Sequence, residues 1–463
     1  MTLDVVVLGG GPAGYACALR AADHGLAVVL VEAQELGGTC LNRGCVPTRA
    51  MLHAASLAET VAAGAARWGI HSVLEKVDFA RVLEARDEVV RRNQAAVGRH
   101  LDAAGVHVVR AYGRLTGARS IVVDGKTIEA ARAVVCATGS VVRTFERIHP
   151  DGHRVLTTDD AFDLEGAPRR ALILGGGAVG AEFSQIWRAF GAEVTILERE
   201  EHLVPFEDAD VGAALARALR RRGIRSVTGI HVEEVRSGDD EVEVDVSRAG
   251  RVETHRADVL LLAAGRTPAT ADAGLPAAGI DDAGSHLRTQ PAGCGLETPA
   301  RGVYAAGDVL APPSPARANA AFAEGMLVAD AIAGADVVPI DYAQVPRVTH
   351  GMIETACVGI SEERARAQGL DPRTATMQPS GLAMGLILGE PGMAKVVTDG
   401  DGTVVGVHLV GPRVTELIAG AAAVTSFEAS AEQAATLVHP HPTLSEALQE
   451  LYLSLAGRPL HHR

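Results

Sequence analysis

Two cysteines, in Gly37-Gly38-Thr39-Cys40-Leu41-Asn42-Arg43-Gly44-Cys45-Val46-Pro47-Thr48-Arg49, are the side chains of this sequence best suited to chemistry. As a redox pair they would carry two electrons by thiol–disulfide exchange; as ordinary thiols they would be small core hydrophobes. In an ideal helix five residues rise about 7.5 Å, whereas the Cα atoms of a disulfide lie within about 7 Å. A Cys40–Cys45 bond therefore requires an irregular first turn, which Gly44 and Pro47 would allow, and such a bond would be strained and reducible. A helix N-terminus here would favour thiolates. Spacing alone leaves both readings open. A second set, His439-Pro440-His441-Pro442-Thr443-Leu444-Ser445-Glu446, pairs imidazoles that exchange protons near neutral pH with a carboxylate able to orient one. In a chain with 17 histidines a His-Pro pair is more often structural.

These groups need elements to hold them. Val5–Leu8 reads as a buried parallel strand, followed by Gly9-Gly10-Gly11-Pro12-Ala13-Gly14, which matches G-x-G-x-x-G. A helix to about His24 and an apolar run, Leu26–Val31, then end at Glu32. The glycines allow a tight turn and close approach to a pyrophosphate at the helix N-terminus, and Glu32 can accept ribose hydroxyls. The pattern repeats: Ala171–Leu174, then Gly175-Gly176-Gly177-Ala178-Val179-Gly180, then Glu193–Leu197 ending at Glu198. From Gly14 to Glu32 and from Gly180 to Glu198 the interval is the same, 18 residues. Two dinucleotide sites imply two dinucleotides, naturally FAD and a nicotinamide. Glu198 favours a free 2′-hydroxyl, hence NAD over NADP, and Arg199 beside it reads as a surface residue.

Further along, the strand Ala133–Cys136 runs into Ala137-Thr138-Gly139-Ser140, and Leu260–Ala264 into Gly265-Arg266-Thr267-Pro268. A strand ending at Gly307-Asp308 can aim one carboxylate at a hydroxyl. A helix is expected over Ala50–Trp68. From about Asp341 the reading changes to a hairpin, Lys395–Thr398 and Val404–Leu409 joined by Asp399-Gly400-Asp401-Gly402, with helices near Val414–Ala423 and Ala431–Leu437.

Composition narrows the classes. The 463 residues carry 43 basic and 57 acidic side chains, a net charge of −14, with no basic cluster for nucleic acid or a membrane surface. Only three of the basic residues are lysines: Lys76, Lys126 and Lys395. Six cysteines cannot form a disulfide scaffold, no apolar run spans a membrane, and no ligand spacing suggests a metal. Met1-Thr2-Leu3-Asp4 does not resemble a signal peptide, so a cytoplasmic protein is expected, with Cys17, Cys136, Cys294 and Cys357 as core residues.

Taken in order, these motifs resemble the flavoprotein pyridine nucleotide-disulfide oxidoreductases, most of all their dihydrolipoamide dehydrogenase branch, over essentially the whole chain. The resemblance implies an α/β fold with two Rossmann-like dinucleotide-binding domains and an α+β C-terminal dimerisation domain. Its boundaries would be 1–145 and 268–340 for FAD, 146–267 for NAD and 341–463 for the interface. It makes Cys40–Cys45 the redox disulfide, with Cys45 next to the flavin and Cys40 as interchange thiol, and His441 with Glu446 the acid–base pair of the partner's active site. FAD would be held by Gly9, Gly11, Pro12, Ala13, Gly14, Glu32, Gly38, Thr39, Arg49, Gly113, Thr138, Gly139, Glu182, Asp308 and Ala318. NAD would be held by Gly175, Gly177, Val179, Gly180, Glu198, Val232 and Gly265. The implied enzyme is a homodimer moving two electrons between NAD(H) and a small or lipoyl-carried dithiol/disulfide through FAD, with no nucleic-acid or membrane partner.

Four departures concern the surroundings of the relay. Arg49 replaces the usual lysine that pairs with the glutamate at 182. Ala318-Asn319-Ala320-Ala321 stands for Ala-His-Lys-Ala, His350-Gly351-Met352-Ile353-Glu354 for Tyr-Thr-x-Pro-Glu, and Ser380-Gly381-Leu382-Ala383-Met384 for Asn-x-Arg-Ala. They leave room for another disulfide, a quinone or a specialised thiol as substrate. A non-catalytic interaction subunit is the alternative of a different class. Within the family, the tail Leu460-His461-His462-Arg463 argues against a mercuric reductase, and Glu198 against an NADPH-linked glutathione reductase.

Overall fold

The computed structural model describes residues 3–461 except 65, 144, 146–147, 282–283 and 291–294, so Cys294 lies outside the described residues. The β-branched runs become the strands of two parallel sheets built to one plan. In the first, Val5–Leu8 is central between Val28–Glu32 and Ala133–Cys136, flanked by His107–Arg110 and Val303–Ala305. In the second, Arg170–Leu174 is central between Glu193–Leu197 and Val259–Leu262, flanked by Ile224–Val227 and Val155–Leu156. Every residue of Val5–Leu8 and of Val259–Leu262 is buried, as strands covered on both faces must be. Each central strand turns through its glycines into a helix, Pro12–Asp23 or Ala178–Ala189. Each copy also carries a three-stranded antiparallel sheet, Gly113–Glu129 in one and His231–Ala257 in the other.

The chain forms two compact units. The first comprises 1–50, 83–143 and 265–342 and contains the first parallel sheet. Its core lies on both faces of that sheet, with Val5, Cys17 and Leu30 on one side and Val6, Leu115 and Cys136 on the other. Helix Pro12–Asp23 packs on Ala318–Ala333, where a Cβ at Gly325 would come within 2.2 Å of the Ala13 carbonyl oxygen.

The second unit comprises 51–82, 144–264 and 343–463. Beside the second parallel sheet it has an antiparallel sheet in the order Arg347–Thr349, Glu354–Gly359, Val404–Gly411, Met393–Thr398, Arg373–Met377. Its central hairpin turns at 399–402 as the Asp-Gly repeats predict, and Val414–Ser426 and Glu446–Leu455 contribute to its core. The α/β architecture with an α+β C-terminal part is thus the one expected.

Some expectations shift. The helix expected over 50–68 begins at Cys45 and ends at Glu59, and two short irregular turns, Thr60–Gly64 and Ala66–Trp68, follow it. Residues 51–82 cluster with the second unit: Glu59 pairs with Arg222, and Arg67 donates to the Leu386 carbonyl oxygen at 2.5 Å. The 431–437 helix shortens to Ala431–Ala434, opened by a capping box between Ser430 and Gln433. Cys17, Cys136 and Cys357 are buried core thiols. Among the described residues no helix is long and apolar enough to cross a membrane.

Candidate active site

The thiol pair sits where two helices fail to join. Gly38–Arg43 is helical, Gly44 breaks the helix, and Cys45 starts the next, Cys45–Glu59. A Cβ at Gly44 would lie 2.9 Å from the Thr39 carbonyl oxygen and 3.3 Å from the Cys40 Cα, so only glycine lets the chain turn there unhindered. The irregular turn that the cysteine spacing requires is therefore present. Cys40 and Cys45 are thiols in this structure, hydrogen-bonded to one another. That bond pushes the Cys40 thiol far above its ordinary range, with burial adding to it. It brings Cys45 down to about 7 against the effect of burial, aided by a backbone N–H at the start of its helix and the Arg317 guanidinium, and opposed by Asp308. Cys45 is the thiolate of the pair and Cys40 keeps the proton.

The glycines of the two glycine-rich turns divide into two kinds. A Cβ at Gly9 would stand 2.2 Å from the Ala137 carbonyl oxygen, and one at Gly14 only 1.8 Å from that of Gly9. The second copy repeats this, Gly175 meeting Ala263 at 2.5 Å and Gly180 meeting Gly175 at 1.9 Å. Protein contacts alone explain these four. At Gly11 a Cβ would meet only the Gly38 Cα, at 3.8 Å, and at Gly177 nothing within 4 Å. Their small size leaves open space before two helix N-termini that no side chain caps, the room a pyrophosphate needs. Pro12 and Ala13 open the first of these helices. Val179, exposed, lies in the first turn of the second.

Both acids are held in the same way. Glu32 accepts the Gly10 N–H at 2.6 Å and the Gln34 N–H at 2.7 Å, one on each oxygen. Glu198 accepts the Gly176 N–H at 2.5 Å and the Glu200 N–H at 2.8 Å. Each oxygen keeps a lone pair for a ribose hydroxyl. Arg199 is exposed and paired with Glu200, an ordinary surface residue.

In the first unit, Ser140 donates to Asp308 at 2.6 Å and receives the Arg266 Nε at 2.7 Å, and Arg266 reaches the Thr39 hydroxyl at 3.4 Å. Burial pushes the Asp308 carboxyl up, with Ser140 and Arg266 pulling the other way. Thr138 donates to the Ala269 carbonyl at 2.7 Å, and Gly139 accepts the Ala269 N–H. Gly38 comes so close to Gly11 that a Cβ there would lie 2.7 Å from the Gly11 Cα. Arg49 is exposed on Cys45–Glu59, and Ala318 opens Ala318–Ala333. Gly113 is close-packed against Leu8, Val31 and Val123.

In the second unit, Glu182 accepts the His350 N–H at 2.9 Å. Gly265 belongs to the first unit, while Val232 pairs with Val246 in the second unit's small sheet. His441 Nδ1 lies 2.8 Å from a Glu446 oxygen whose partner oxygen accepts the Thr443 N–H at 2.8 Å. The His441 contact holds the Glu446 carboxyl below its usual range. The imidazole itself is 75% exposed. Burial lowers the pKa of the neighbouring His439, whose Nε2 points inward, as for a supporting residue.

Ser140, Arg317 and Glu324 were not foreseen as site residues. Glu324 is fully buried and accepts the Gly307 N–H and the Ser314 hydroxyl, both at 2.7 Å, which fixes the turn before Asp308. Its signal was present: with Asp330, it is one of two charges in a helix that is apolar apart from Asn319.

Family comparison agrees with this geometry. Residues 3–325 match the pyridine nucleotide-disulphide oxidoreductase family, and 345–452 match that family's dimerisation domain. The dihydrolipoyl dehydrogenase of Thermus scotoductus is 37% identical over 466 residues, 99% of each chain. That of Zymomonas mobilis is 34% identical over 466 residues, again 99% of each. The crystal structure of LpdA from Mycobacterium tuberculosis superposes with a TM-score of 0.88 at 28% identity, covering 98% of this chain and 100% of that one. The chain belongs to the class I pyridine nucleotide-disulphide oxidoreductases and carries their dimerisation domain. It is an FAD-dependent enzyme that exchanges electrons between NAD(H) and a disulfide. When bound, the flavin relays two electrons between the nicotinamide and the thiol pair.

Proposed function

We propose that the substrate is a lipoyl-type dithiol, oxidised at the expense of NAD+ in a homodimer whose active sites combine the Cys40–Cys45 pair of one subunit with His441 and Glu446 of the other. The observation that carries this reading is the hydrogen-bonded Cys40–Cys45 pair at the Gly44 helix break, in a chain so similar to dihydrolipoyl dehydrogenases along its whole length. With the pair oxidised, His441 takes a proton from one substrate thiol, and the resulting thiolate attacks Cys40 Sγ. The Cys40–Cys45 bond breaks and Cys45, the lower-pKa sulfur, leaves as thiolate. The second substrate thiol closes on the first sulfur and expels Cys40; His441 returns the first proton to Cys40 and takes the proton of the second thiol, ending protonated beside the Cys45 thiolate. Atoms and electrons balance: one disulfide forms, one is reduced, and the dithiol passes its two electrons onward. Glu446 keeps the imidazole oriented throughout.

A cytoplasmic location is part of this proposal, since reducing conditions suit the unpaired buried thiols Cys17, Cys136 and Cys357. A different disulfide, a quinone or a specialised thiol is the second reading, favoured by Arg49 in place of the usual lysine and by Ala318-Asn319-Ala320-Ala321 in place of the usual Ala-His-Lys-Ala. Steady-state rates decide: dihydrolipoamide with NAD+, against NADPH with glutathione disulfide, and NADH with a quinone. Lipoamide turnover well above the others is expected. Negligible lipoamide turnover by flavin-loaded protein refutes the substrate assignment.

A further inference from the structure

Lys395, one of three lysines in the chain, is buried in the second unit. Its Nζ donates to both oxygens of Asp208 at 3.1 Å and to Asp210 at 2.7 Å, and it pairs with Glu362 at 2.8 Å. A compact ammonium with three directable protons can satisfy three carboxylates from one point, which a planar guanidinium cannot do. Asp208 caps the helix Ala209–Arg221 by accepting the Asp210 N–H at 3.0 Å, and it accepts the Glu362 N–H at 3.1 Å. The preceding residue, Glu207, receives Arg347 Nε at 3.0 and 3.2 Å. Arg347 and Lys395 lie on two strands of the C-terminal sheet, so the adjacent acids 207 and 208 are gripped from that sheet twice.

The other end of this segment enters the second glycine turn. Val204 donates its N–H to the Gly176 carbonyl at 2.8 Å, and Leu203 fills the space beside Gly176, 2.6 Å from where a Cβ would stand. Gly176 is the residue whose N–H is bound by Glu198. Val204 holds a φ of +46°, a left-handed conformation that a β-branched residue keeps only when its surroundings impose it.

We propose that Lys395 is a positioning residue for the nicotinamide dinucleotide: through Asp208 and the Leu203–Asp208 segment it sets, from the C-terminal sheet, the Gly176 turn and Glu198. This rests on NAD(H) occupying the second glycine turn and is independent of which disulfide is the substrate. The test uses Lys395→Met in the flavin-loaded enzyme, with NAD+ affinity measured by calorimetry alongside steady-state kinetics. NAD+ affinity should weaken about five- to twentyfold and KM should follow, with saturated kcat within about twofold. Flavin content should not change. If Lys395→Met does not fold, Glu362→Gln removes one of its carboxylates and should weaken affinity about two- to fivefold. Glu354→Ala is the control: it removes the acceptor for the Thr415 N–H and hydroxyl elsewhere in the C-terminal part, and should lower Tm without altering NAD+ affinity. Unchanged affinity in the folded Lys395 or Glu362 variant overturns the proposal. An equal loss in Glu354→Ala, or loss of flavin together with NAD+ binding, also overturns it by revealing general loosening. Absence of NAD+ binding in the unsubstituted enzyme would overturn the cofactor placement along with it.

Discussion

Bringing Cys45 down to about 7 while raising Cys40 assigns the two thiols different work, and most of that difference comes from the hydrogen bond between them. The sign follows directly. Cys45 ionises as the pH rises through about 7, while Cys40 stays protonated well above that. Replacing Cys40 with alanine removes the leading cause, so the Cys45 midpoint should climb toward the free-thiol value of about 8.5. Ultraviolet thiolate absorbance of the reduced protein, titrated with pH, measures this, and a midpoint that stays near 7 would reject the assignment. For His441, tied to Glu446 and otherwise open, His441→Gln should lower kcat by about 10²–10⁴ with flavin content intact. Full activity in that variant would remove the histidine from the proton path.

At the scale of elements, the break at Gly44 is what brings two side chains from different helices within reach. Gly44→Ala places a methyl 2.9 Å from a carbonyl oxygen and must move one helix. A loss of about 1–3 kcal/mol in stability is expected, together with slower formation of the Cys40–Cys45 disulfide, read by thermal melting and by thiol titration over time. Much of the surrounding structure could be read from the sequence because its causes are local. A strand buried on both faces leaves an unbroken apolar run, and Gly14 is dictated by a carbonyl only five residues back. The two three-stranded antiparallel sheets were not legible. His231–Ser237 is mostly solvent-facing or half-buried and shows no run, and its pairing depends on strands that come later. Nor was the Lys395 cluster, whose carboxylates at 208 and 210 lie far away in sequence. The helix at 45–59 starts earlier than its alanine content suggested, since its origin is set by the glycine that precedes it.

For the whole molecule, the first unit holds the thiol pair while the second holds His441, and the chain carries the family's dimerisation domain. If each active site draws on two subunits, two inactive chains can repair one another. Mixing Cys40→Ser with His441→Gln chains should produce mixed dimers with roughly one working site in two. Each variant alone should remain inactive. A mixture with no recovered activity, in samples where mixed dimers are demonstrated, would show that the histidine acts within its own chain.

The anchoring of Glu198 has an evolutionary corollary. The same carboxylate that would accept the ribose also ties down the amides of Gly176 and Glu200, so dinucleotide preference and loop architecture depend on one side chain. Exchange for an arginine able to receive a 2′-phosphate would strand two N–H donors as well as reverse a charge. A lineage drifting toward the phosphorylated cofactor therefore has no single-step route from this sequence. It must first find another acceptor for the turn.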